Sequence, residues 1–204
     1  MPASERSRLF SNKPMKHIIP FIIITFFTGC AISINTNHYA SLSNKEKAYF
    51  KPFSSAKETP DTSVILEISG SQCKQLISEN KYSLVHLWNP SCSGNTCYSL
   101  SPYTDMENTF GDKGLKVILV AVSYDLSDIQ KIIKASEYPN AVYVISNSVY
   151  GSKLGKSIDT FSEEIAGKKI KRCGNLLFKE TELIYNGFDI NDDIINHILS
   201  SEEN

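Results

Sequence analysis

The sequence predicts a layered α/β domain built on a mixed β-sheet. Three observations point there. From residue 64 to residue 199, short apolar runs alternate with segments of helical periodicity, the pattern of helices packed on a sheet. The most apolar run, KVILVAV within 115–122, suits a central strand buried on both faces. The last two runs are joined by a short polar connection and read as an antiparallel hairpin, which makes the sheet mixed.

The elements follow in order. Residues 64–68 are a first strand, and 71–80 place Cys73, Leu76 and Ile77 at helical spacing. Residues 83–88 are a second strand, stopped by Asn89-Pro90. A helix is predicted over 98–110, with Gly111 and Gly114 framing its exit, and the strand 115–122 comes next. Ile129, Ile132 and Ile133 mark a helix over 129–135 after an Asp-rich start; 141–145 is a strand and 158–165 a helix. Residues 175–178 and 183–185 pair as a hairpin. The last helix, 190–199, carries Ile190, Ile194, Ile195 and Ile198 on one stripe. Residues 31–61 are rich in Ser, Asn, Lys and Pro and read as a tether, with a short helical patch around 44–50. Cys73 is expected in the core, and Tyr98, Tyr103, Tyr124 and Tyr150 at the surface or layer edges.

Composition narrows the function classes. The 204 residues, 41% hydrophobic and 21% charged, make one domain with additions. A formal net charge of −1 gives no general attraction for nucleic acid. Ten Gly and eight Pro exclude a collagenous protein, and five Cys are too few for a small disulfide scaffold. No apolar run reaches the ~20 residues of a membrane-spanning helix.

Arg6, Arg8, Lys13 and Lys16 precede an apolar run over 18–27, followed by Thr28, Gly29 and Cys30. A basic start, a short apolar stretch and a small-residue exit describe a secretory signal. The ending F-T-G-C resembles the lipobox of bacterial lipoproteins, with Phe27 where Leu is more usual. That resemblance implies cleavage after Gly29, a diacylglycerol on the Cys30 sulfur, usually a third acyl chain such as palmitate on its amine, and a site in the bacterial cell envelope facing the periplasm or exterior. Two or more chains anchor stably where one binds marginally. The mature chain keeps 17 basic and 21 acidic residues, because cleavage removes four basic residues and Glu5. Its mild acidity argues against a polybasic grip on lipid or nucleic acid. The expected boundaries are 1–29 signal peptide, 30–61 lipidated N-terminus and tether, and 62–204 domain. Export permits disulfides.

Cys92 and Cys97 stand just past the strand ending in Leu87-Trp88. With the element order, this resembles the thioredoxin-like superfamily over about 64–199. The stretch VILEISGSQCKQLISENKYSLVHLWNPSC resembles the first strand, helix and second strand of a thioredoxin. AVYVI resembles the extra strand of membrane-anchored redoxins, and NLLFKETELIYNGF their last two strands. The resemblance implies a thioredoxin-like mixed β-sheet flanked by helices. It also implies thiol–disulfide oxidoreductase activity on exported protein thiols or disulfides, with Cys92 attacking and Cys97 resolving. Trp88 would shield the redox centre. No dissociable cofactor or metal is implied, because the electrons reside on the sulfurs, but sustained reduction needs an electron-donating membrane partner. A thiolate at a helix N-terminus is stabilised by unpaired N–H groups and the helix dipole, which lowers its pKa from about 8.5.

The motif departs from the family's two-residue spacing: C-S-G-N-T-C has four residues between the cysteines. Five positions along a regular helix turn by about 140° net, so the sulfurs meet only if Ser93-Gly94-Asn95 forms a turn with Asn95 or Thr96 capping the next helix. In that geometry Cys97 lies nearest the helix N-terminus, and the two roles are open to reversal. Arg172-Cys173 occupies the place of the family's cis-proline. Cys173 is therefore a candidate third redox thiol or a small buried residue.

Other readings of the same residues stand beside this one. Pro90 to Cys97 matches the peroxiredoxin pattern P-x-x-x-T-x-x-C, with Gly94 where Thr is expected and Arg172 as a candidate thiolate-stabilising arginine. Two cysteines and a histidine suit copper, yet none of His38, His86 and His197 follows a suitable loop. A degenerate binding module with a structural Cys92–Cys97 disulfide is the main alternative.

Overall fold

The computed structural model describes residues 36–54, 64–91 and 99–201, so Cys30, Cys92 and Cys97 lie outside the described residues, as does Tyr98. Among the described residues the chain forms α1 (Asn44–Lys47), β1 (Phe50–Pro52), β2 (Ile65–Ile68), α2 (Gly70–Ser78), β3 (Tyr82–Trp88), α3 (Ser101–Phe110), β4 (Leu115–Ala121), α4 (Leu126–Ser136), β5 (Val142–Ile145), α5 (Asn147–Tyr150), α6 (Leu154–Ala166), β6 (Asn175–Lys179), β7 (Glu182–Gly187) and α7 (Asp192–Ser201).

The strands form one sheet in the order β1-β2-β5-β4-β3-β6-β7. The first five run parallel; β6 pairs antiparallel with β3, and β7 antiparallel with β6. This is the mixed sheet flanked by helices that the resemblance implied. The strand expected from AVYVI lies between β2 and β4, where parallel pairing on both edges covers it.

Alternation along β3 divides the core. Tyr82, Leu84 and Trp88 join Met106 and Phe110 of α3, Ile129 and Ile132 of α4, and Ile195 and Leu199 of α7. Val85 and Leu87 face the other layer, with Cys73 and Ile77 of α2 and Phe161 and Ile165 of α6. Caps define where helices start. Ser69 accepts from Gln72 N while the Gln72 side chain accepts from Ser69 N, and Asp125 accepts from Asp128 N. Gly70 allows α6 to approach, since a Cβ there would stand 2.6 Å from the Glu164 side chain.

Two expectations change. Residues 36–54 of the stretch expected as tether belong to the domain: β1 extends the sheet, Phe50 and Phe53 are buried, and Tyr39 packs edge-on against Tyr124. Asn37, 1% exposed, donates its main-chain N–H to Ser152 O at 2.9 Å and its carbonyl accepts from Tyr124 N at 2.8 Å. The expected helical patch is present as α1. A three-residue strand holding a proline shows no periodicity of its own, and pairing with β2 supplies what local sequence lacks. Tyr124 is fully buried rather than at a layer edge. Its hydroxyl donates to Glu67 at 2.5 Å, with Ile145 O a more distant neighbour at 3.1 Å, and accepts from Asn147 N, so the polar tip is satisfied inside the core.

Candidate functional site

The C-terminal end of β3 lies mid-sheet, between parallel β4 and antiparallel β6. A cleft of about 500 Å³ opens there, walled by Trp88, Leu100, Tyr103, Val122, Cys173 and Phe188 among others. The chain turns away from β3 through Asn89, whose side chain accepts from Ser91 N at 3.2 Å. Ser91 Oγ then donates to Asp125 Oδ2 at 3.0 Å. On the return, Leu100 N donates to the buried Ser136 hydroxyl at 3.0 Å, holding the start of α3. The segment between these two fixed points carries Cys92 and Cys97.

Trp88 is 4% exposed, and its Nε1–H has no acceptor among the described residues. Such an orphan donor is costly unless a partner reaches it. Two residues earlier on the same strand face, His86 stacks on Tyr103 with ring centroids 3.8 Å apart. Asn175, opposite His86 in the β3–β6 register, binds the pair together. Its Oδ1 meets His86 Nδ1 at 2.8 Å and accepts from Tyr103 Oη at 3.0 Å, while its Nδ2 donates to Phe188 O at 2.6 Å. With the amide oriented by Phe188 O, neutral His86 carries its proton on Nδ1 and leaves Nε2 as an acceptor. Burial depresses the His86 pKa to about 4, against hydrogen bonds to Asn175 and Gly174 that favour the cation. Burial raises Tyr103 to about 12, with the Asn175 bond opposing it. Both groups are uncharged near neutral pH.

The structure brings Trp88 and Cys173 to one cleft. Cys173 is 5% exposed and carries no disulfide. Desolvation raises its pKa, partly offset by hydrogen bonds with Asn186 and the backbone of Asn175 and Gly187. Arg172 borders the cleft, but its guanidinium makes a bidentate pair with Asp159 at 2.7 and 2.8 Å and donates to Gly155 O. Cys73 is fully buried under α6, with its thiol pKa pushed far up first by desolvation and then by Glu164, as suits a core thiol. Among the described residues no cluster of His, Cys, Asp and Glu is arranged to hold a metal.

Sequence reading did not single out Asn175, Asp125 or Phe188, and it placed Tyr103 only at the surface or a layer edge. Only Asn175 carried a signal, as a polar residue heading the apolar run N-L-L-F. The others matter because of register and chain crossing, which are non-local.

No protein-family model and no curated protein matches the chain. Solved structures similar to it include the thioredoxin domain of a thiol-disulfide oxidoreductase from Bacteroides vulgatus, at 21% identity over 62% of this chain and 82% of that one, TM-score 0.44. Another is a thiol:disulfide interchange protein from Bacteroides sp., at 20% identity over 62% of this chain and 76% of that one, TM-score 0.42. Likenesses of this degree transfer neither residue roles nor activity to this chain.

Proposed function

We propose that this chain is a lipid-anchored thiol–disulfide oxidoreductase of the cell envelope, acting on exported protein thiols or disulfides through Cys92 and Cys97. One observation carries the reading: the segment holding both cysteines lies between Asn89 and Ser99, and both of these residues line the cleft beyond β3. The cleft is largely apolar, its charged lining residues being Arg172, which is paired with Asp159, and Asp189, and such a lining suits a passing polypeptide better than a small charged metabolite.

The exchange balances without any other reactant. One cysteine, as thiolate, attacks a substrate disulfide; an S–S bond forms between the proteins and the substrate's leaving sulfur departs as thiolate. The second cysteine, once deprotonated, displaces the substrate, leaving Cys92–Cys97 oxidised and the substrate reduced by two electrons. The protons from the two enzyme thiols end on the two substrate thiols. The reverse direction oxidises a dithiol, and the partner's potential decides which runs. Cleavage after Gly29 and acylation of Cys30 supply the anchor in this reading.

Equilibration in a glutathione redox series, with turnover of a protein disulfide, tests it. Cys92→Ser and Cys97→Ser are each expected to lower turnover by about a hundredfold or more, equivalent to about 2.7 kcal/mol of barrier, while Cys73→Ser leaves it within twofold. Turnover unchanged in both variants, or a bridge inert to glutathione, overturns the proposal and leaves a binding module.

A further inference from the structure

The proposed anchor and the proposed redox pair meet the domain at the same end of the sheet. Asn37 bonds Tyr124, which follows the C-terminal end of β4; the next residue, Asp125, bonds Ser91, the residue before Cys92. Val122, on the same short stretch, lines the cleft. Residues 37–54 of the stretch that reads as tether in sequence are thus taken up by the domain. From Cys30 to Asn37 there are seven peptide steps, a reach of at most about 25 Å.

A domain of this length is about 40 Å across. If its cleft end pointed away from a membrane holding Cys30, Asn37 would stand farther from the surface than the chain can stretch. We propose that the cleft works turned toward the membrane, and that its partners are cysteines of membrane-embedded proteins lying close to the surface rather than freely diffusing exported proteins. This rests on the anchored-oxidoreductase reading and names its substrate class.

A second observation agrees with that orientation. Among the described residues three large apolar side chains are exposed: Tyr49, Val149 and Phe188. Val149, 58% exposed, sits on α5 just beyond the C-terminal end of β5, on a helix tied to Asn37 by the Asn147 side chain. Phe188, 68% exposed, follows β7 at the cleft. Two of the three therefore crown the end that the short leash holds down, where an interfacial environment suits apolar side chains.

The chain's single tryptophan makes a direct test, because Trp88 lies in the cleft wall. Full-length acylated protein is reconstituted in phosphatidylcholine–phosphatidylglycerol vesicles carrying a dansylated headgroup, and energy transfer from Trp88 is read. Strong transfer is expected. Inserting a Gly/Ser spacer of about 40 residues, with a mean span on the order of 35 Å, between Asn35 and Thr36 is expected to lower transfer several-fold. The spacer is also expected to slow exchange with a transmembrane peptide bearing a juxtamembrane disulfide at least fivefold, relative to the same disulfide in a soluble peptide. Weak transfer in vesicles that the native protein demonstrably co-floats with overturns the orientation. An unchanged ratio between the two peptides overturns the partner class. Failure to co-float overturns the anchor reading and this inference with it, whereas absence of exchange with both peptides, transfer being strong, overturns the oxidoreductase reading.

Discussion

At the N-terminal end of the parallel strands, polar groups answer one another. Glu107 accepts from Lys116 Nζ at 2.5 Å, Val117 N at 3.0 Å and Asn140 Nδ2 at 3.0 Å, and Tyr138 donates to Val117 O. Gly114, at φ 88°, makes the turn that lets Tyr82 N reach its carbonyl. At the C-terminal end, Trp88 Nε1 lacks an acceptor among the described residues, His86 is held neutral, and Phe188 stands open to solvent. One end closes the fold. The other keeps unsettled groups around a cleft, the usual distribution when a rigid scaffold carries a working edge.

The contrast can be broken or sharpened by variants. Glu107→Ala should cost the most stability, about 3 kcal/mol, because it strips partners from a main-chain N–H, an ammonium and an amide at once. Denaturant unfolding measures it, and thiol exchange measured well below the unfolding midpoint should be unchanged. If Glu107→Ala altered exchange as much as stability, the two ends would not be separable.

His86 predicts a smaller, pH-dependent effect at the other end. Its folded pKa, about 4, lies below the ordinary 6.5, so between those values the unfolded chain binds more protons. Its contribution to stability is therefore full above pH 6.5 and lost as pH falls toward 4. The loss is on the order of 2–3 kcal/mol. Unfolding curves across this window should show that slope in the parent and lack it in His86→Gln. A slope that survives the substitution would assign it to other groups.

Arg172→Ala should do least. Its pair with Asp159 is about half exposed on both sides, and such pairs contribute under about 1 kcal/mol. Exchange should be unaffected, since the guanidinium faces Asp159. A large loss of exchange would instead favour the thiolate-stabilising role that the peroxiredoxin-like reading gives it.

Much of the fold was legible because it is written in local periodicity. Every strand expected from an apolar run is present within a residue or two. What was not legible is non-local. β1 exists because β2 offers it an edge; Tyr124 is core because Glu67 and Asn147 reach its hydroxyl. The candidate site divides in the same way. Trp88 and the Cys92–Cys97 segment could be named from the end of an apolar strand, and Cys173 from its place just before the run G-N-L-L-F. The His86–Asn175–Tyr103 cluster required the β3–β6 register, and the bond from Ser91 to Asp125 joins residues 34 apart that the parallel pairing of β3 and β4 brings to one end of the sheet.

The most direct test of the central claim uses Trp88 as a reporter. Its emission is followed while full-length protein is equilibrated across glutathione redox buffers. A single two-electron transition is expected, retained in Cys73→Ser and abolished in Cys92→Ser and Cys97→Ser. An emission that ignores redox poise, or a transition that survives both substitutions, would contradict a thiol–disulfide couple at this cleft.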